Sequence, residues 1–101
     1  MQLPSKFKCA GNTIKVELVE KTYNNNYGNW WDATNTITIA KTIELKNKTI
    51  VKLTEDQITN TFWHELIHCF QFYFDNSYNE AQSQVYANFL CEYFKSTASD
   101  D

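Results

Sequence analysis

The chain holds two histidines, and both lie in one five-residue string, His64-Glu65-Leu66-Ile67-His68. On a helix, residues i and i+4 share a face, so the two imidazoles would stand side by side and could hold one zinc ion. Glu65, next to the first histidine, would reach a water polarised by that ion and take its proton as a general base. The plainer reading has both histidines satisfied by local hydrogen bonds and Glu65 as a solvated charge. Two features of the surrounding sequence favour the metal: helical periodicity on either side of the string, and a further carboxylate at a workable distance.

The helix that must carry the string starts at Thr54. Thr54-Glu55-Asp56-Gln57 fits a capping box with Thr54 as N-cap and Gln57 at N3. Glu55 and Asp56 place negative charge in the first turn, where the helix dipole favours it. Ile58, Phe62, Leu66 and Cys69-Phe70 recur at helical spacing to about Phe74, while Trp63, Ile67 and Phe72 lie off that stripe. Apolar residues on more than one side predict a central, buried helix. Burying two histidines and a glutamate there is costly without compensation, which a cation would supply. Residues 75–79, Asp-Asn-Ser-Tyr-Asn, break the helix, and Asn79 can cap a second one from about Glu80 to Lys95. Its apolar side would be Ala81, Val85, Phe89 and Tyr93, with Tyr86, Leu90 and Phe94 beside them. The tail from Ser96 to Asp101 is polar and expected to fray.

Two histidines leave a zinc ion one protein ligand short of a catalytic set. The carboxylates that follow are Asp75, Glu80, Glu92, Asp100 and Asp101. Glu80, twelve residues beyond His68 at the start of the second helix, is the choice, with Glu92 as the fallback. Glu80 could equally be a first-turn acid favoured by the helix dipole. In a simple antiparallel hairpin it would sit over a turn past His68. Either the helices cross steeply, therefore, or the connecting loop folds Glu80 back.

Ahead of the helices the pattern is that of strands. Residues 13–20 alternate, with Ile14, Val16 and Leu18 on one side. Residues 22–29 are rich in Asn and Tyr and read as a loop closed by Gly28-Asn29. Trp30-Trp31, the turn Asp32-Ala33-Thr34-Asn35 and the β-branched run Thr36-Ile37-Thr38-Ile39 make a hairpin. A short strand is expected around Ile50–Leu53, and residues 41–49 fit either loop or strand.

The 101 residues make a single domain, 1–101, with one modest core rich in aromatic area. A net charge of −3 with acids and bases mixed argues against a dedicated nucleic-acid binder. Two glycines and one proline exclude a low-complexity chain. Cys9, Cys69 and Cys91 are odd in number and show no paired spacing. With no apolar leader at the N-terminus and no run long enough to span a membrane, they suggest free thiols in a reducing, cytoplasmic setting. Cys69 points about 100° away from His68 around the helix and reads as core.

Residues 62–68, Phe-Trp-His-Glu-Leu-Ile-His, followed by Asn79-Glu80-Ala81 opening a helix that ends in Phe89-Leu90, resemble small phage-type, gluzincin-like HExxH metallopeptidases. These are similar to a minimal core of the ImmA/IrrE-type proteins. Tyr27-Gly28-Asn29-Trp30-Trp31-Asp32 and Asn35-Thr36-Ile37-Thr38-Ile39 resemble the strand-turn-strand before the active helix of that group. The resemblance covers roughly residues 13–95, and HExxH is its specific part. It implies His64, His68 and Glu80 as Zn2+ ligands and Glu65 as general base. It also implies a small twisted sheet on the active helix, with an edge strand able to bind an extended peptide by strand addition. Gluzincins carry an acid four residues after the ligand glutamate, orienting a histidine; this chain has Gln84 there, which can accept an imidazole N–H but lacks charge. With no further histidine in the chain, a tyrosine such as Tyr78 or Tyr86 could stabilise an oxyanion, packing in the core or at the surface being the plainer role for both.

The expected fold class is thus α+β: a small antiparallel or mixed sheet of N-terminal strands packed on two C-terminal helices, a minimal zincin-like arrangement. The expected function is a zinc-dependent hydrolase acting on a peptide or protein substrate. The alternative is a zinc-stabilised protein-binding module without turnover, using the strand edge or an exposed Trp30-Trp31 hairpin. A third reading, a metal-free helical interaction domain, treats the HExxH string as accidental.

Overall fold

A computed structural model describes residues 2–75 and 77–98. Among these, six strands precede two α-helices, and the fold is α+β. Strands β1 (Lys6–Cys9), β2 (Asn12–Val19), β3 (Gly28–Trp31) and β4 (Thr36–Ala40) form one mixed sheet in the order β1-β2-β4-β3. β2 runs parallel to β4, and the outer pairs are antiparallel. β5 (Thr42–Glu44) and β6 (Ile50–Lys52) form a separate hairpin, so the ambiguous stretch after Ala40 is partly strand.

β1 has no counterpart in the sequence reading. Its alternation is clear in place: Lys6 and Lys8 are exposed while Phe7 and Cys9 turn inward. Phe7 meets Phe62 edge-on at 6.2 Å. The two-residue β1–β2 turn needs positive φ at both positions, which Ala10 (50°) and Gly11 (80°) adopt. The predicted β3–β4 hairpin is present, with Trp30 opposite Ile37 and Trp31 opposite Thr36. The strand begins earlier than expected, at Gly28, and Trp30 and Trp31 are half-buried instead of exposed. Asn35 takes the left-handed turn position (φ 50°) that its short side chain tolerates, and accepts a hydrogen bond from the Tyr73 hydroxyl.

Helix α1 (Glu55–Phe70) lies across β3 and β4. Both halves of the capping box are made: Thr54 Oγ1 accepts from the Gln57 amide at 3.1 Å, and Gln57 Oε1 accepts from the Thr54 amide at 2.8 Å. The core between helix and sheet consists of Ile14, Ile37, Ile39, Phe62 and Cys69, with Val16, Trp30, Ile58 and Leu66 packed around it. Cys69 is therefore core, as expected, and Cys9, Cys69 and Cys91 are free thiols. Leu18 departs from the predicted strand face and is exposed, as are Phe70 and Phe74 at the end of the helical run.

After Phe70 the helix widens into a π-helical turn, Gln71–Asp75. Helix α2 (Glu80–Ala98) then runs back along α1, with Gln82 bonded to Gln71, Asn88 to Asn60 and Lys95 to Asp56. The expected cap is made: Asn79 Oδ1 accepts from the Gln82 amide at 2.9 Å. The helix continues through Ala98, and the expected fraying of residues 99–101 lies outside the described residues. One expectation about α2 is overturned. The side read as apolar, Ala81, Val85, Phe89 and Tyr93, which would ordinarily turn to the core, is exposed, and α2 instead buries Ser83 and Ala87. Small residues there let α2 approach closely enough for its polar neighbours to reach the α1 histidines, and further along the same contact Phe94 stacks on Trp63. No helix among the described residues is long and apolar enough to cross a membrane.

Candidate metal centre

His64 and His68 project from one face of α1, their rings 4.7 Å apart and nearly perpendicular. Glu80, in the first turn of α2, closes the group. His64 Nε2 lies 3.1 Å from Glu80 Oε2, His68 Nε2 lies 2.5 Å from Glu80 Oε1, and the two Nε2 atoms are 3.1 Å apart. The potential ligand atoms all lie within 4.8 Å of one another. Two ligands bound tetrahedrally at 2.0–2.1 Å stand about 3.3 Å apart, so the two 3.1 Å spacings are within a few tenths of an ångström of a zinc site, while His68 Nε2 and Glu80 Oε1 would have to part by about 0.8 Å.

The tautomers follow from what holds the other ring nitrogens. His64 Nδ1 donates to Gln84 Oε1 at 3.0 Å. The Gln84 amide orientation is set because its Nε2 donates to Asn60 Oδ1 (2.9 Å) and Asn88 Oδ1 (2.8 Å). His68 Nδ1 donates to Gln71 Oε1 at 3.1 Å, with Ser83 Oγ at 3.3 Å. With both Nδ1 atoms protonated, both Nε2 atoms carry lone pairs, and these converge on a carboxylate. Four acceptor atoms facing one another repel unless a proton or a cation sits among them.

Of the sequence-predicted residues, His64, His68, Glu80 and Gln84 come together, and Glu65 faces the same cleft. Glu92 does not: it is exposed two turns beyond Gln84, beside the separate hollow near Asp56 and Cys91. The tension over the position of Glu80 is resolved by the loop and not by a steep crossing. Gln71 Oε1 accepts from the Asn79 amide at 3.2 Å, and Gln71 Nε2 reaches the Asn79 carbonyl at 3.4 Å. That clamp holds the residue before Glu80 against the last turn of α1. Of the other carboxylates considered, Asp100 and Asp101 lie outside the described residues.

Gln71 and Ser83 were missed by sequence reasoning. Gln71 is almost fully buried and Ser83 fully so. The signal for Gln71 was available: it is the lone polar residue within Cys69–Phe74, three positions after His68 and so on its face. Ser83 had no such signal, since a serine on a helix reads as surface.

Glu65 is buried, 8 % exposed. Burial, with the negative charge of Glu80 adding to it, raises its carboxyl from 4.5 to about 7. Gly28 permits this placement. A Cβ there would stand 2.5 Å from Thr61 Cγ2, 3.0 Å from the Thr38 carbonyl oxygen and 3.3 Å from Glu65 Cγ. The absence of a side chain lets β3 press directly on the helix at the motif. Tyr78 sets its ring edge-on to His68 at 5.4 Å, and its hydroxyl lies 3.4 Å from Asp32 Oδ2. Burial pushes the Tyr78 hydroxyl up, and the Asp32 charge adds to the effect. Tyr86 is exposed on α2 and does not line this cleft.

The cleft has a volume of about 870 Å³. One wall is β3 with the preceding Asn26 and Tyr27, and the other is formed by α1 and α2. β3 is the terminal strand of its sheet, so its unpaired edge borders the opening. Among the described residues the lining includes Asp32, Asp56, Glu65 and Glu80 and no Lys or Arg, although Lys95 pairs with Asp56 from outside it at 2.8 Å. No family model, curated protein or solved structure matches this chain.

Proposed function

We propose that the protein is a zinc-dependent peptidase. The observation that carries this reading is the convergence of His64 Nε2, His68 Nε2 and the Glu80 carboxylate, with both Nδ1 positions already engaged. Zinc bound there would supply a Lewis acid that polarises a carbonyl and acidifies water. The chain's own residues do the rest. Gln84, Gln71 and Ser83 hold the imidazoles in the tautomer that leaves Nε2 free. Glu65, in a dry position beside His64, takes a proton from the attacking water and returns it to the leaving amine. The free edge of β3 aligns an extended peptide along the cleft by strand addition. With Asp56 paired to Lys95, the carboxyl groups of Asp32, Glu65 and Glu80 keep the cleft acidic, which favours neutral or basic peptides over acidic ones.

A zinc-stabilised binding module without turnover is the second reading. It is favoured by the histidines being oriented only by amides and a hydroxyl, which raise their basicity less than a carboxylate would.

Metal content and cleavage of a peptide library, measured on the same preparations, separate these readings. Wild type should carry one zinc, Glu80→Ala should lose it and Glu92→Ala should keep it. Glu65→Gln should keep zinc and lose cleavage. Full activity in Glu65→Gln refutes the mechanism. Zinc without hydrolysis in wild type leaves the binding module, and a stable fold that takes up no zinc refutes both.

A further inference from the structure

Two rows of polar side chains face each other along the seam between α1 and α2. Asn60, His64 and His68 form the row on α1, and Glu80, Gln84 and Asn88 the row on α2. A spacing of four keeps each row on one face of its helix. One end of the seam holds the candidate metal ligands, and the other is a cluster of three amides. Gln84 Nε2 donates to Asn60 Oδ1 at 2.9 Å and to Asn88 Oδ1 at 2.8 Å, and Asn60 Nδ2 donates to Asn88 Oδ1 at 3.0 Å. The two histidines are therefore held differently. His68 Nδ1 meets Gln71 and Ser83, whose side chains are fixed by burial. His64 Nδ1 meets Gln84, which is exposed. An exposed amide on its own presents oxygen or nitrogen to a ring with little difference in energy. Here it does not have that freedom. Turning Gln84 by itself would set its Oε1 against the Asn60 and Asn88 oxygens and its NH2 group against the His64 N–H. Asn60 cannot turn to meet it without giving up its own bond to Asn88. A turn of all three amides together gives a second satisfied arrangement. In that one Gln84 donates to His64 Nδ1, so the ring proton moves to Nε2 and occupies the place of a metal ion.

We infer that Asn60 and Asn88 are positioning residues for the metal centre: with Gln84 they form one two-state unit whose sense decides whether His64 offers Nε2 to a metal ion. The coupling is reciprocal. A metal ion on Nε2 favours the sense in which Gln84 Oε1 faces the ring, and that sense tightens metal binding. The unit does for the exposed Gln84 what burial does for Gln71. The inference rests on the metal part of the proposed function and not on peptide cleavage.

Proton NMR with cobalt(II) in place of zinc, beside calorimetric zinc titration of the same preparations, tests this. Each ligating imidazole with a protonated Nδ1 gives an exchangeable, paramagnetically shifted signal, so wild type should show one from each histidine. The double variant Asn60→Ala/Asn88→Ala removes both acceptors, and alanine suits a helix better than asparagine does. It should lose the His64 signal to solvent exchange, keep the His68 signal and bind zinc about 10-fold more weakly. Asn88→Asp leaves only acceptor atoms at the node, so Gln84 Nε2 must still donate there. Both signals and at least wild-type zinc affinity should remain in it. If the double variant loses helix content, the contrast between Asn88→Ala and Asn88→Asp decides, with only the alanine variant weakening the His64 signal. Both signals and unchanged zinc affinity in a folded double variant, equal behaviour of Asn88→Ala and Asn88→Asp, or loss of the His64 signal in Asn88→Asp overturns the inference and leaves the metal site in place. A wild type that takes up neither metal overturns it together with the proposed function.

Discussion

Replacing Glu65 with Gln should stabilise the metal-free protein, and only above the pH at which the carboxyl would ionise when unfolded. The folded carboxyl sits at about 7 against an ordinary value of 4.5, with burial the larger cause and Glu80 the smaller. Below about pH 4.5 the group is neutral in both states, and its burial carries no ionic penalty. As pH rises from there towards 7, the unfolded chain has released its proton while the folded chain still holds one. Stability therefore falls across this window and levels off above it. At 1.36 kcal/mol per pH unit, the gap amounts to about 3 kcal/mol, an order-of-magnitude figure for a residue this buried. Gln keeps the shape and removes the charge. Urea unfolding in chelator should thus show Glu65→Gln ahead of wild type by about 2 M in midpoint at pH 8 and by little at pH 4. Zinc should shrink the gain, because a bound cation offsets the carboxylate charge. A difference between variant and wild type that does not change with pH, or a variant less stable at pH 8, would refute the claim that Glu65 is held in a desolvated position.

Gly28→Ala should cost about 1–3 kcal/mol, because its methyl group must displace Thr61 Cγ2 or lift β3 from the helix. In a thermal melt, Thr61→Ser should recover part of that loss in the Gly28→Ala background and none in wild type. Thr54→Ala removes the capping box and should cost about 1 kcal/mol in chemical denaturation with no effect on zinc stoichiometry. Gln71→Leu removes the shorter partner of His68 Nδ1, leaving it Ser83 Oγ at 3.3 Å, and takes the acceptor from the Asn79 amide. Calorimetric titration should show zinc affinity reduced about 10–100-fold, and a wild-type affinity would remove Gln71 from the site.

Much of the site was legible because its residues act through local geometry. Two histidines four apart on a capped helix face the same way wherever that helix is placed, and the cap itself uses only Thr54 and Gln57. The hairpin from Trp30 to Ala40 was legible for the same reason: β-branched alternation around an Asp-Ala-Thr-Asn turn is a short-range property, whereas the extension of its first strand back to Gly28 was not. β1 escaped notice because four residues, two of them lysines, alternate too briefly to stand out. The parallel pairing of β2 with β4 escaped because no local signal states which strands become neighbours.

The faces of α2 mark the boundary most sharply. Its periodicity was read correctly, but the apolar side so identified is the exposed one. A hydrophobic stripe normally turns to the core, but here the site requires Glu80, Ser83 and Gln84 against α1, and one helix cannot turn both sides inward. Sequence alone determined the helix, its cap, the pair of histidines, the adjacent glutamate and the twelve-residue separation of His68 from Glu80. Only the tertiary structure decided that Glu80 and not Glu92 meets the histidines, that Gln71 pins the loop to bring it there, and that Gly28 lets β3 close over Glu65. Motif spacing is set by the helix repeat, which every helix shares. Contacts between elements depend on packing, where a loop clamp or a missing Cβ decides which surfaces can touch.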